Sequence, residues 1–402
     1  MKNRFSDIEY LFPTEAAMDP NLQDPPEEPF SVRAVAFLHA LSLQLNRDPR
    51  TRDFPDLATF AFYCRKANIL QLKKQYYPDD TIRKGRGLVF HITPANVPTT
   101  FAYSLLSGIL SGNTNIVKVS SQRTEQSAII CDALGELTRE EEHRAFARRM
   151  ALVRFGAESP ATAYYSSICD VRVIWGSDAT VEKIRKNKLK PTATEITFAS
   201  RYALCVINAD AYLREKSPEA IAAGFYNDTY LYDQNACTAP HLVVWLGDDI
   251  TIETARTNFW EKLHQQVKTR YTLQPHSAVD KLAAYYYQAA HSEAIKKVPM
   301  PDNLIWRTQL THLPKNIENY RCNGGYFSEY KAKSLSDITR ILTPNYQTLV
   351  CYGINKEELQ NFIDNEKPAT LDSIVAIGRT LDFSLMRDGV DLIGEMTRPG
   401  AG

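Results

Sequence analysis

The sequence predicts an α/β fold of doubly wound parallel sheets, on three observations. Short apolar runs recur and alternate with helical stretches, as at 88–92 (LVFHI), 115–119 (NIVKV), 150–155 (MALVRF) and 171–175 (VRVIW). Each run is apolar nearly throughout, the mark of a buried strand, and is closed by Gly, Pro, Asn or Ser. The chain has 402 residues, 44% hydrophobic and 23% charged, enough for two or three domains. Strand–helix alternation of this kind builds βαβ units with right-handed crossovers.

Residues 1–28, rich in Pro, Asp and Glu, read as a loose or wrapping arm. Residues 30–45 predict a packed helix and 57–76 a second one, with Lys73, Lys74 and the pair Asp79-Asp80 marking a solvated end. The strand at 88–92 leads into a Pro-bracketed turn, 93–98, and a helix over 99–110 that Gly112-Asn113 stops. The strand at 115–119 and a helix at 124–139 follow, then the strands at 150–155 and 171–175. Gly176-Ser177-Asp178 opens a helix to about 187. A strand at 203–208, a helix at 218–227, a strand at 241–246 and a further βα series to about 376 complete the pattern.

Composition narrows the function. Lys plus Arg and Asp plus Glu both number 47, so no global charge points to nucleic acid. The N-terminus, Met1-Lys-Asn-Arg, turns charged too early for a signal peptide, and the longest apolar run, 101–110, is about half of a membrane span. Seven scattered cysteines, with no CxxC pair, fit neither a disulfide framework nor a metal site. A reducing cytoplasm is the expected location, with no metal.

Chemistry concentrates in four places. Cys237 lies in Gln234-Asn-Ala-Cys-Thr-Ala-Pro240, among small neighbours and ahead of an apolar strand, as an accessible nucleophilic thiol requires. Asn96 stands between Pro94 and Pro98 at a strand end, where its amide can face a developing oxyanion. Lys118 ends a strand and is followed by Ser120, Ser121 and Arg123, which suit a ribose and its 2′-phosphate. Gly176-Ser177 opens a helix whose N–H groups can cradle a phosphate. Standing alone, each has a plainer structural reading: core cysteine, turn asparagine, solvated strand end, ordinary helix start. The basic run Lys183-Ile-Arg-Lys-Asn-Lys-Leu-Lys190 reads as a solvated face, and His91 and His241, at strand ends, as structural.

Order and spacing together are specific. Thr93-Pro-Ala-Asn-Val-Pro98, Gly112-Asn-Thr-Asn-Ile-Val-Lys118, Gln234-Asn-Ala-Cys-Thr-Ala-Pro240, Gly378-Arg-Thr-Leu-Asp-Phe383 and Asp388-Gly-Val-Asp-Leu-Ile393 resemble the aldehyde dehydrogenase superfamily. More narrowly, they resemble its acyl-CoA reductase branch, the LuxC-type reductases of bacterial bioluminescence. The resemblance runs from about residue 80 to the C-terminus. It implies an aldehyde-dehydrogenase-like fold, two doubly wound Rossmann-like α/β domains with the active-site cleft between them. The implied organisation is an N-terminal helical arm at 1–80 packing on the cofactor domain, an NADP-binding domain at 81–205, a catalytic domain at 206–376 and a C-terminal segment at 377–402. Cys237 resembles the nucleophile and Asn96 the oxyanion amide. Lys118, Ser120, Ser121, Arg123, Gly176, Ser177, Thr93 and Pro94 form the implied cofactor set.

Departures from the family pattern refine the activity. No glutamate base stands upstream of the cysteine: the strand approach Ile196-Thr-Phe-Ala-Ser-Arg-Tyr-Ala203 puts Phe198 near its place, with Glu195 out of register. The acidic residue usual after the ribose lysine is replaced by Ser120-Ser121, which favours NADPH, with NADH as the other choice. Glu329 is the one candidate for a second ribose-binding glutamate. The resemblance thus implies reduction of a long-chain acyl-CoA or acyl-protein thioester to aldehyde through a Cys237 acyl-enzyme. It also implies a homo-oligomer, and a fatty-acid-activating acyl-protein synthetase as partner. An aldehyde dehydrogenase running toward the acid and a catalytically silent docking subunit are the alternatives. Tyr226, Tyr230 and Tyr232 line an acyl tunnel or belong to the core.

Overall fold

A computed structural model describes residues 7–13, 24–77, 82–292, 295–299, 301–368 and 371–400. Asp79-Asp80 and most of the acidic arm lie outside them. The chain divides into two compact units, residues 1–200 with 383–402, and residues 201–382.

The first unit is built on β1 (Glu9–Phe12), β2 (Arg83–Gly85), β3 (Leu88–Ile92), β4 (Thr114–Lys118), β5 (Met150–Arg154), β6 (Val171–Trp175) and β7 (Thr194–Phe198). Its helices are α1 (Val32–Arg47), α2 (Pro55–Tyr63), α3 (Lys66–Tyr76), α4 (Thr100–Leu110), α5 (Glu125–Leu137), α6 (Ala161–Ile168) and α7 (Asp178–Arg185). The sheet order is β1-β5-β4-β3-β6-β7, with β3 to β7 parallel and β1 antiparallel at the edge. Both faces are covered, which is why these strands are apolar at consecutive positions. Val117 and Leu152 pack among α1–α5, while Ile116, Ala151 and Val153 pack toward α6 and α7.

Close packing of α4 on the sheet depends on Gly108. A Cβ there would lie 1.9 Å from Asn115 Oδ1 and 3.0 Å from His91 Nε2. His91 itself is buried between Ser104 Oγ (2.7 Å from Nδ1) and Asn115 Oδ1 (3.0 Å from Nε2). An amide oxygen only accepts, so Nε2 carries the proton and Nδ1 accepts from the Ser104 hydroxyl. Burial pushes its pKa down to about 4. The structural reading of His91 holds.

One expectation is corrected. The single helix over 57–76 is α2 and α3, broken at Cys64-Arg65. The buried stripe Leu57, Phe60, Ala61, Cys64 resumes five residues on at Ile69 and Leu72, out of helical phase, and the break restores it. Of the two readings of the arm, its described residues take the wrapping one. Glu9–Phe12 pairs with β5, and Glu27 and Phe30 donate backbone N–H groups to the Gly112 and Leu110 carbonyls that end α4.

The second unit contains β8 (Tyr202–Asn208), β9 (Pro240–Leu246), β10 (Ile295–Val298), β11 (Trp306–Leu310), β12 (Tyr326–Ala332), β13 (Tyr346–Tyr352) and β14 (Ser373–Ala376). Its helices are α8 (Ala209–Leu213), α9 (Pro218–Thr229), α10 (Asp249–Arg270), α11 (Pro275–His291) and α12 (Lys356–Glu366). The order is β10-β11-β12-β9-β8-β13-β14, parallel except for β10. On β8, Cys205 and Ile207 face α9 and α10, and Leu204 and Val206 face the α12 side. Residues 196–203 are therefore no single strand. They end β7 and begin β8, with the division between units among them.

After residue 382 the chain returns to the first unit. There β15 (Met386–Arg387) pairs with β16 (Val390–Asp391), α13 (Leu392–Met396) caps the α4 end, and β17 (Thr397–Pro399) pairs with β2.

Candidate functional site

In the second unit, α9 runs into one 3-10 turn, Tyr230–Tyr232, and then Asp233 (φ 51°) and Gln234 (φ 63°) both turn left-handed. Such backbone costs non-glycine residues on the order of 1–2 kcal/mol each, so something must hold it. Gln234 does most of this. Its side chain is 1% exposed and makes four hydrogen bonds. Nε2 donates to the Pro240 (2.9 Å) and Tyr326 (3.1 Å) carbonyls, and Oε1 accepts from the Gly325 (2.9 Å) and Tyr326 (3.1 Å) N–H groups. Asp233 adds two contacts, accepting from Gly324 N–H at 2.9 Å and from the Tyr271 hydroxyl at 2.7 Å. The loop is thereby fastened to the starts of β9 and β12.

Cys237 sits half-buried in this fastened loop, within the turn closed by Ala239 N–H to Ala236 O (3.0 Å). Burial pushes the thiols of Cys64, Cys131, Cys169, Cys205, Cys322 and Cys351 up, which suppresses their thiolates. His241, at the start of β9, hydrogen-bonds the Cys322 carbonyl through Nδ1 (3.1 Å). Burial and the nearby Arg321 push its pKa down to about 3, so it stays neutral and structural. A facing turn, Cys322 to Gly325, meets the loop again through Asn323 Nδ2 to Asn235 Oδ1 (2.5 Å). The buried ammonium of Lys281 supports that turn at the Gly324 carbonyl, 2.7 Å away. Gly325 (φ 92°) admits no side chain, because a Cβ would meet Leu304 O and Tyr230 Oη at 2.3 Å.

The sequence did not single out Gln234, and a glutamine before a cysteine carries no signal of its own. Upstream, Asp228 of α9 is buried and accepts from Gly378 N–H (2.6 Å), Thr380 N–H (3.1 Å) and Thr380 Oγ1 (2.9 Å). It anchors the 378–380 part of the C-terminal motif, and burial raises its pKa to about 6. Tyr226 and Tyr230 stack at 5.5 Å inside the core, their hydroxyls donating to Arg270 O and Leu304 O. These two are core residues. Glu329 is 1% exposed and saturated by Arg307 (2.7 Å), Trp245 (3.0 Å) and Trp260 (2.7 Å), with no face left for a ribose.

In the first unit, the remaining candidates gather at the carboxyl ends of three adjacent strands. Ile92 of β3 is in register with Lys118 of β4 and Ile174 of β6, at the point where the chain switches from one side of the sheet to the other. Crevices of this kind bind dinucleotides. Thr93 ties two of the strands, its N–H (3.2 Å) and Oγ1 (2.8 Å) both donating to Lys118 O. Pro94 is half-buried, and Asn96 is exposed on the turn into α4. The Lys118 ammonium lies 5.3 Å from the Phe155 ring centre, and burial lowers its pKa. Among the described residues no carboxylate stands within ion-pair distance of it. Ser177 caps α7, its Oγ accepting from Thr180 N–H (3.3 Å), and Gly176 N–H donates to Phe198 O (3.1 Å). Ser120 Oγ accepts from Gln122 N–H (3.1 Å), and Ser121 is exposed. Arg123 pairs with Glu9 at 3.0 Å.

Glu195 is held on β7 by Arg172 and by Arg185 (2.7 Å), which lower its pKa against the cost of burial. Phe198 is buried and stacks on Trp175 at 4.0 Å. Cys237 and Asn96 belong to different units.

Residues 69–398 match the family described as acyl-CoA reductase (LuxC). The long-chain acyl-protein thioester reductase of Aliivibrio fischeri is 24% identical over 169 residues, 42% of this chain and 33% of that protein. Long-chain acyl-protein thioester reductase 2 of Photobacterium leiognathi is 25% identical over 186 residues, 45% and 35% of the two chains. The chain spans about a third of the length of these curated relatives. Among solved structures, an NAD-dependent benzaldehyde dehydrogenase from Corynebacterium glutamicum superposes with a TM-score of 0.59 at 12% identity, covering 92% of this chain and 84% of that one. That likeness establishes the aldehyde dehydrogenase fold.

Proposed function

The chain belongs to the acyl-CoA reductase (LuxC) family, and we propose that it reduces a fatty acyl thioester to the aldehyde through an acyl-enzyme on Cys237. The observation that carries this reading is a half-buried thiol on a fastened loop, while Glu195, close in sequence to the place of the family's base, is spent on two arginines. With Glu195 so held it would not activate water, and the acyl group would stay on Cys237. The alternative that runs to the acid needs such a base.

In the proposed sequence the Cys237 thiolate attacks the thioester carbonyl, and Asn96 with the Cys237 N–H holds the oxyanion. The tetrahedral adduct expels the donor thiolate, of CoA or of an acylated protein, and leaves Cys237 acylated. When bound, a nicotinamide would supply hydride to the acyl carbon of acylated Cys237. The thiohemiacetal oxyanion so formed would break its C–S bond, releasing aldehyde and returning Cys237 as the thiolate. Holding the cofactor falls to Lys118, a desolvated ammonium with no carboxylate beside it among the described residues, together with Thr93, Pro94, Ser120, Ser121, Arg123, Gly176 and Ser177. We favour NADPH over NADH on the serines that follow Lys118. A reducing cytoplasm, a homo-oligomeric state and a fatty-acid-activating acyl-protein synthetase as acyl source complete the proposal.

The test is to incubate purified protein with labelled acyl-CoA, look for a hydroxylamine-sensitive adduct, and then add NADPH or NADH. Adduct followed by aldehyde is expected. Oxidation of aldehyde to acid without CoA, or no activity in folded protein, would overturn the reading.

A further inference from the structure

We propose that Glu9, from the N-terminal edge strand, tunes the preference between NADPH and NADH by restraining the phosphorylated cofactor. The inference rests on the cofactor reading above and adds a residue to it. In β1·β5 pairing Glu9 stands opposite Arg154, at the carboxyl end of β5. Its carboxylate joins two guanidinium groups, Arg154 Nη1 to Oε2 at 3.1 Å and Arg123 Nη2 to Oε1 at 3.0 Å. Arg154 Nε also donates to Ser120 O at 3.0 Å, two residues beyond Lys118. The cluster is thus attached to the strand end at which a dinucleotide fold meets the adenosine ribose.

At that place a carboxylate accepts from a free 2′-hydroxyl, and an arginine accommodates a 2′-phosphate. The loop after β4 offers Ser120-Ser121 and no acid. Glu9 brings one to the same strand end by another route, across the sheet edge. The two arginines differ. The Arg154 side chain is 10% exposed and fixed, and that of Arg123 is 78% exposed and able to change partners. A 2′-phosphate, carrying about two negative charges, gains Arg123 only by taking it from Glu9, and is repelled by the carboxylate left behind. A free 2′-hydroxyl meets neither cost. Glu9 therefore restrains NADPH and spares NADH.

The experiment measures NADPH and NADH affinity by fluorescence titration in wild type, E9Q, R123A and E9Q/R123A at low ionic strength, with a thermal melt of each. E9Q should raise the NADPH-to-NADH affinity ratio about fivefold, the size of one exposed charge contact, and 1 M salt should shrink the gain. The gain should vanish in the double variant, since Arg123 is the group released. An unchanged ratio in E9Q, or an equal gain with and without Arg123, overturns the proposal while leaving the cofactor reading intact. If E9Q disturbs β1, E9T, which removes the charge and keeps a strand-forming residue, replaces it, and the ratio must rise; an unchanged ratio overturns the proposal. Wild-type protein that binds neither dinucleotide overturns the cofactor reading itself, and this inference with it.

Discussion

Replacing Gln234 by leucine probes the fastening of the cysteine loop without touching the thiol. The substitution keeps volume and deletes four hydrogen bonds of 2.9–3.1 Å to Pro240, Gly325 and Tyr326. Four backbone groups lose their partner near the buried starts of β9 and β12. At about 0.5–1.5 kcal/mol per bond, with part recovered by water, the net loss is about 2–4 kcal/mol. For a unit of this size that lowers the melting temperature by about 5–12 °C. The loop also loses what offsets its two left-handed residues, so Cys237 wanders. A displacement of about 1 Å can cost ~10²-fold in rate, and acylation of Cys237 should fall ~10–100-fold. Scanning calorimetry, a timed alkylation of Cys237 read by mass spectrometry, and the acylation assay give the three readouts. Q234E sharpens the test. Its carboxylate still accepts from Gly325 and Tyr326 but faces the Pro240 and Tyr326 carbonyls with no donor. It should be stabilised as pH falls and the carboxyl regains a proton. A Q234L protein with unchanged melting temperature and unchanged Cys237 reactivity would refute the reasoning.

C237S should abolish the acyl adduct and leave the melting temperature within about 1 °C, since the thiol is half-buried in a loop; a large drop would return this cysteine to the core. N96A should slow acylation ~10²–10³-fold with little change in stability, and an unchanged single-turnover rate would remove Asn96 from the mechanism. Both buried histidines destabilise the fold in acid. His91 and His241 are pushed down to about 4 and about 3, so between the unfolded value near 6.5 and those values the unfolded chain binds more protons. Stability from these groups is complete above about pH 6.5 and is lost as pH falls, on the order of 2 kcal/mol per histidine by pH 5. Melting curves at pH 7 and pH 5, compared between wild type and H91N, check the sign. An equal acid loss in both would refute it for His91.

Some elements were legible almost to the residue. Strands β3 and β6 and helix α4 are continuous apolar segments bounded by Gly, Pro and Ser, and their ends are written locally. The candidate residues Lys118, Gly176 and Ser177 were legible for the same reason, since strand ends position them. The break between α2 and α3 was not, because it answers a packing phase set by the helices around it. Nor was β1. Four residues in an acidic arm become a strand only because Arg154, Val153 and Leu152 present an open edge more than a hundred positions away. Gln234 was hidden differently: left-handed backbone outside glycine leaves no mark on composition, and the partners that hold it come from β9 and β12.

By itself the sequence determined the parallel α/β class, the family, and which thiol stands in a loop of small residues, since each depends on local pattern and spacing. Tertiary structure alone decided what surrounds those residues. It made Glu329 a core keystone, assigned Glu195 to arginines, fastened the Cys237 loop through Gln234, and brought Glu9 to Arg123 and Arg154. The physical reason is range. Strand and helix propensities act over a few residues, whereas a buried charge or a strained loop is settled by partners that folding gathers from across the chain.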